Sequence, residues 1–370
     1  MRILHTADWH IGKTLAGFDL LDVQRRSFEH LRQIARDEQV DAMIIAGDVY
    51  DRALASEPVV ASVNQMLRTL NLDDKLPLLV IAGNHDSAAR LATGREWYAD
   101  TQLHLNTQLA EAFTPVTMGD TQFFLLPYFE PREAQVYFGD PKLTNVESAM
   151  RAVVAKMRTE FAADKHHVLV AHFFAAGSSH SESETKVNVG GLDAVPLDLL
   201  TDFDYVALGH LHNRKACESD TVQYAGALLK YDVGEAAQKK GCYILDTETM
   251  TRRFIEIPQQ PDFQHVTASF ADIMNGDVAD LDTANYVHFT LTDTEIIPDL
   301  MNRLRSKYPL CVGVDRKTRV QLKRAVREFN EKLDPMSLLG KFYEDALGSE
   351  LGPAEKQWAQ RSLAELQRED

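Results

Sequence analysis

From Met1 to about residue 210, short apolar runs alternate with stretches of helical periodicity. Ile3-Leu4, Met43-Ile44-Ile45-Ala46, Leu78-Leu79-Val80-Ile81-Ala82, Phe123-Phe124-Leu125-Leu126, Val168-Leu169-Val170-Ala171 and Tyr205-Val206-Ala207-Leu208 are apolar at every position. An amphipathic strand would alternate, so continuous runs of this length predict strands buried on both faces. Between them, Phe28, Leu31 and Ala35 share one helical face, as do Val59, Val63, Met66 and Leu70. Ser56 and Pro58 suit the start of that second helix. Strand–helix alternation of this kind predicts an α/β sandwich.

Beyond residue 210 the pattern changes to turns and short strands, including Gln223-Tyr224-Ala225-Gly226 and Cys242-Tyr243-Ile244-Leu245. Gln259-Gln260-Pro261-Asp262 reads as a linker. Tyr286 to Leu291 then reads as a strand, Ile297 to Tyr308 as a helix and Cys311 to Val314 as a strand, which predicts a small α+β module. The tail is helical in pattern. Asp334 and Pro335 can start a helix whose Leu338, Phe342 and Ala346 share a face, and Gly352-Pro353 opens another carrying Trp358, Leu363 and Leu366. The expected parts are 1–258, 259–320 and 321–370.

Composition narrows the class. The chain has 370 residues, 45% hydrophobic and 25% charged, as a globular protein does. No apolar run approaches the roughly 20 residues that span a bilayer, and the polar start is unlike a secretory signal, so no membrane is expected. Cys217, Cys242 and Cys311 are scattered without CxxC spacing, which argues against a disulfide framework and a thiolate zinc site; a cytoplasmic protein is expected. The net charge of −16 disfavours tight DNA binding by the chain alone, although bound cations or a basic partner would offset it locally.

The chemistry lies just after the strands. The first is followed by Asp8-Trp9-His10, the second by Gly47-Asp48, the third by Gly83-Asn84-His85-Asp86, a later one by His172 and the last by Gly209-His210-Leu211-His212. Singly these are ordinary: Gly-Asp after a strand is commonly a turn. In open α/β sheets, however, ligands bind at the carboxyl ends of the strands. Five chain positions that each deliver a carboxylate, amide or imidazole to that edge point to a dinuclear metal centre. Without thiolate, the set suits manganese, iron or zinc better than magnesium, which prefers oxygen alone.

These motifs resemble the signature of the calcineurin-like metallophosphoesterases over roughly the first 250 residues. "MRILHTADWHIGK", "DAMIIAGDVYD", "VIAGNHDS" and "DYVALGHLH" resemble, more narrowly, the bacterial SbcD family of nuclease subunits, as does "VNVGGLDAVP" at 187–196. The resemblance implies a two-sheet α/β sandwich with a small α+β capping domain and C-terminal helices. It further implies that Asp8, His10, Asp48 and His212 hold one divalent ion. Asp48, Asn84, His172 and His210 would hold the other, with Mn2+ expected and Mg2+, Fe2+ or Zn2+ compatible. His85 would face the substrate as the catalytic histidine, with Asp86 orienting its ring and Asn84 also touching substrate. Some relatives carry a phosphate-contacting histidine three residues after the bridging aspartate. Here that position is Asp51, followed by Arg52, which could take over the phosphate contact.

The implied reaction is hydrolysis of DNA phosphodiesters, as a double-strand exonuclease and a single-strand or hairpin endonuclease in repair and recombination. The implied partner is an SbcC-like ABC-type ATPase with a long coiled coil, in a heterotetramer containing a homodimer of this chain. Leu338, Phe342, Trp358, Leu363 and Leu366 are the expected docking residues. Arg316, Lys317, Arg319, Lys323 and Arg324 form the most basic stretch and could follow a DNA backbone. A phosphatase or phosphodiesterase of small phosphoesters, or a non-enzymatic scaffold, remains the alternative at this point.

Overall fold

The computed structural model describes residues 1–178, 194–293, 295–317, 336, 339–340 and 352–366. Its strands are β1 (Arg2–Thr6), the ribbon β2 (Thr14–Leu15) and β3 (Phe18–Asp19), β4 (Ala42–Ala46), β5 (Leu78–Ile81), β6 (Leu103–Asn106), β7 (Val116–Met118) and β8 (Thr121–Leu126). They continue with β9 (His166–His172), β10 (Tyr205–Gly209), β11 (Val222–Tyr224), β12 (Gly241–Asp246), β13 (Thr251–Glu256), β14 (Phe263–Ala268), β15 (Tyr286–Leu291) and β16 (Cys311–Arg316). The apolar runs read from the sequence are β1, β4, β5, β8, β9 and β10. The shorter or half-polar β6, β7, β13 and β14 carried no such signal.

Two sheets stack. One has the order β13-β12-β1-β4-β5-β6 and the other β11-β10-β9-β8-β7. Their central strands are parallel, and the antiparallel β12, β13 and β7 lie at the margins. The period of two along each strand explains the continuous apolar runs. Ile3, Ile44, Leu79 and Ile81 meet Phe123, Leu125, Val168, Val170 and Ala207 between the sheets. Their neighbours Leu4, Met43, Ile45 and Val80 face outward, against Phe28, Leu31, Val63 and Met66 of the helices Leu21–Asp37 and Glu57–Arg68. On the far side Phe124, Leu169 and Val206 meet Met150, Val153 and Val154 of the helix Val146–Arg158. The result is a helix–sheet–sheet–helix sandwich, in which each such side chain contributes about 1.5–3 kcal/mol by burial. Ser56 does sit at the expected helix start, but its side chain makes no capping hydrogen bond.

Residues 263–316 form a parallel three-stranded sheet, β14-β15-β16, crossed by the helices Phe270–Asn275 and Leu300–Lys307. The second helix is shorter at both ends than its apolar pattern predicted. Phe263 and Tyr286 pack into one apolar cluster with Leu15, Leu20, Val23, Leu229 and Tyr231. Met1–Lys317 accordingly forms one compact unit, and Thr318–Asp370 a second.

In the second unit the helix Pro353–Leu366 begins at the expected proline, with Ala359 buried and Trp358 71% exposed. Leu338 and Phe342 lie outside the described residues, as do the side chains of Leu363 and Leu366, residues 187–193, Arg319, Lys323 and Arg324. Among the described residues, no helix is long and apolar enough to cross a membrane.

Candidate metal centre

The parallel strands of both sheets end at one edge, and the polar side chains that follow them meet there. Asp8 and His10 come from beyond β1, Asp48 from beyond β4, and Asn84 and His85 from beyond β5. His172 closes β9, and His210 and His212 follow β10. The backbone turns abruptly to deliver them. Asp8 (φ 50°), His10 (φ 44°), Asp48 (φ 51°) and His210 (φ 92°) all adopt positive φ, which costs a non-glycine residue about 1–3 kcal/mol. Four strained residues in one constellation mark it as a site that the rest of the fold stabilises.

The glycines beside them are there for space. A Cβ on Gly83 would lie 2.2 Å from Asp48 Oδ1, and one on Gly209 would lie 2.0 Å from the Ala46 carbonyl oxygen.

Asp48 stands at the centre. Its Oδ2 lies 3.2 Å from His172 Nε2 and 3.6 Å from His10 Nε2, while its Oδ1 accepts the main-chain N–H of His85 at 2.9 Å. On one side Asp8, His10 and His212 bring three donor atoms within 4.8 Å of one another, and Asp8, Asp48 and His172 form a second such group. On the other side Asn84 Oδ1 is 3.0 Å from His172 Nε2 and 3.1 Å from His210 Nδ1. All seven residues expected as ligands are therefore brought together.

The donor set fits divalent cations on its own chemistry. His172 donates its Nδ1–H to the Ala46 carbonyl at 2.8 Å, and His212 donates its Nδ1–H to Glu235 Oε1 at 2.9 Å. Each Nε2 then carries a lone pair. One points at the oxygens of Asn84 and Asp48, and the other at His10 Nε2 only 3.1 Å away. Where a neutral Nε2 faces the oxygens of Asn84 and Asp48, positive charge is needed between them. Asp8 Oδ2 is buried without a hydrogen-bond partner.

Titration reflects the same need for positive charge, which a proton meets at His172. Burial opposes charge on His172, yet the adjacent Asp48 carboxylate overcomes it and raises the ring to about 9. Burial pushes His210 down to about 3. Asp48 itself resists burial and is held well below the usual carboxylate range by His172 and His10.

One expectation is corrected. Asp86 does not orient His85: its carboxylate accepts the N–H groups of Val49, Tyr50 and Gly83, tying the two ligand loops together. The His85 ring is held instead at Nδ1 by the main-chain carbonyl of Asp51, 2.8 Å away. The Asp51 carboxylate is not a bare charge, because the Lys13 ammonium pairs with it at 3.0 Å. Asp51, His10 and His85 also form a group with metal-ligand spacing, but Lys13 already supplies the cation there. Arg52 contacts Asp51 at 3.3 Å with a side chain 78% exposed, so it stands at the rim.

Sequence reasoning missed Glu235, Lys240, Lys13, Gln24 and Tyr231 behind the ligands. Gln24 donates to the main-chain oxygen of His10 at 2.7 Å, and Tyr231 packs its ring against those of His10 and His212. Gln24 lies in a helix, Glu235 in a single helical turn and the others in loops, where such residues read as solvated, and no local pattern distinguishes them.

A family model described as calcineurin-like phosphoesterase matches residues 1–214, which sets the class as a hydrolytic metallophosphoesterase. A second model, described as the type 5 capsule protein repressor C-terminal domain, matches residues 259–346. Among curated proteins, the SbcD subunit of the nuclease SbcCD from Staphylococcus epidermidis is 32% identical over 312 residues, 84% of this chain and 83% of that one. Its namesake from Staphylococcus saprophyticus is 31% identical over 356 residues, 95% of this chain and 94% of that one. A dimetal phosphatase from Danio rerio is a distant structural likeness, with 12% identity and a TM-score of 0.41 over 70% of this chain and 99% of that one. The chain belongs to the SbcD nuclease subunits within the calcineurin-like phosphoesterase family.

Proposed function

We propose that the chain is the nuclease subunit of an SbcCD-type complex and hydrolyses DNA phosphodiesters at the centre described above. In this reading Asp8, His10, Asp48 and His212 hold one divalent cation, and Asp48, Asn84, His172 and His210 a second, with Mn2+ as the metal in both. The observation that carries it is the position of Asp48, one carboxylate set between two groups of buried lone pairs. When bound, the two cations lower the pKa of a water and offset the charge on the phosphate oxygens.

The chain's own groups do the rest. Asp51 holds His85 through Nδ1, so Nε2 is the nitrogen that gives a proton to the leaving sugar oxygen. Asp86 keeps the Asp48 and Asn84 loops in register by accepting N–H groups from both. Lys13 offsets the charge of Asp51, so the mouth of the site does not repel a polyanion. Residues 1–258 would be the nuclease domain and 259–320 a cap that follows DNA through Arg316 and Lys317. Residues 321–370 would dock on an SbcC-like ATPase, for which the exposed Trp358 is the described anchor.

The test compares blocked-end hairpin DNA with a small phosphodiester, with and without the ATPase and ATP. Mn2+-dependent cleavage of the hairpin, enhanced by the ATPase, is expected. Turnover of the small ester with the hairpin left intact would overturn the nuclease reading.

A further inference from the structure

Behind His212 lies a buried ion pair that no part of the proposed mechanism uses. Glu235 and Lys240 are 0% and 3% exposed. Glu235 Oε1 accepts His212 Nδ1–H at 2.9 Å, and Oε2 takes the Lys240 ammonium at 2.5 Å. Lys240 also donates to the main-chain oxygen of His212 at 2.9 Å and to Gln238 Oε1 at 2.9 Å. The loop is fastened in turn, since the Asp232 side chain accepts the main-chain N–H of Glu235 at 3.1 Å.

Burying two opposite charges is costly, and apolar residues would serve stability as well or better. What the pair does that apolar residues cannot is grip His212 at two points. The carboxylate fixes which ring nitrogen carries the proton and the plane of the ring, and the ammonium fixes the main chain of the same residue. The ammonium also offsets the charge of the carboxylate. Behind the opposite ligand the support is uncharged: His172 is oriented by the main-chain carbonyl of Ala46.

We propose that Glu235 and Lys240 are positioning residues that act through His212 to set the affinity of one of the two cation positions, the one shared with Asp8 and His10. This rests on the two-cation reading above. The two positions would then differ in strength, the Asp8–His10–His212 position depending on a charged support and the Asn84–His172–His210 position not.

The experiment titrates the intact chain with Mn2+, following stoichiometry by calorimetry and spin coupling by electron paramagnetic resonance. Wild type is expected to take up two ions and show a coupled spectrum. Glu235→Leu/Lys240→Met replaces the pair by apolar groups of similar volume, which avoids an unpaired buried charge while removing the acceptor from His212. It is expected to weaken one ion by about 10–100-fold and leave the other unchanged. The spectrum of a single uncoupled Mn2+ would then appear at sub-saturating metal. Glu235→Gln/Lys240→Met returns a neutral acceptor to Nδ1 and should recover most of the lost affinity, which a purely structural role would not predict. If wild type binds two ions and both variants bind them with unchanged affinities, the positioning role is wrong while the two-cation reading stands. If wild type takes up no pair of ions, that reading falls and this proposal with it.

Discussion

Replacing His85 by Ala tests whether the proposed proton donor is separate from the proposed cation ligands. The main-chain N–H of His85, which Asp48 Oδ1 accepts at 2.9 Å, survives the substitution. What is lost is the ring held at 2.8 Å by the Asp51 carbonyl and packed 4.7 Å, centre to centre, from His10. Metal content should therefore stay as in wild type. Removing a general acid typically costs about 10²–10⁴-fold, which at about 1.4 kcal/mol per tenfold is roughly 3–5 kcal/mol of transition-state stabilisation. That loss is expected in kcat/KM on DNA, whose leaving sugar oxygen needs a proton. With a p-nitrophenyl phosphodiester the leaving group departs unprotonated, and the loss should shrink to about tenfold or less. The assay is steady-state turnover of both substrates alongside metal analysis. Equal losses on the two substrates would refute proton donation, and loss of bound metal would refute the separation of His85 from the ligands.

Three other substitutions probe the site and its support. Asp48→Asn removes the charge set 3.2 Å from His172 and 3.6 Å from His10, so the rise in Tm on adding Mn2+ to wild type should disappear in this variant. Gly209→Ala puts a carbon 2.0 Å from the Ala46 oxygen, and a loss of about 1–3 kcal/mol is expected in urea unfolding; wild-type stability would contradict the packing. His5 is buried against Tyr205, and burial lowers its pKa from 6.5 to about 3. The unfolded chain binds that proton near 6.5 and the folded chain only near 3, so this contribution is complete above 6.5 and lost as pH falls through the interval. His5→Gln should reduce the drop in urea midpoint between about pH 7 and pH 4, and an unchanged drop would count against it.

The legibility of this chain followed the strength of each local signal. Continuous apolar runs such as Val168 to Ala171 announced strands because a strand covered on both faces has no polar position to spare. β14, whose side chains after Phe263 are only half-buried or exposed, was invisible beside an expected linker. The ligand motifs stood out because imidazoles and carboxylates crowded after apolar strands have few structural reasons to be there. Asp86 was misjudged for want of geometry. Adjacency in Asn84-His85-Asp86 suggests that the carboxylate serves its neighbour, whereas the turn aims it at the main chain of Val49 and Tyr50.

The one-dimensional order determined which strands would be buried, which residues could bind cations, and that all of them would reach one edge, because parallel strands of alternating α/β units share a carboxyl end. Only the folded chain decided how charge is managed around them. Glu235 and Lys240 meet His212, and Asp51 meets His10, from other loops of the chain. A charged side chain in a loop carries no mark of whether it will be solvated or sealed behind a ligand. Burial is a property of what packs on top, and that is set by residues elsewhere in the chain.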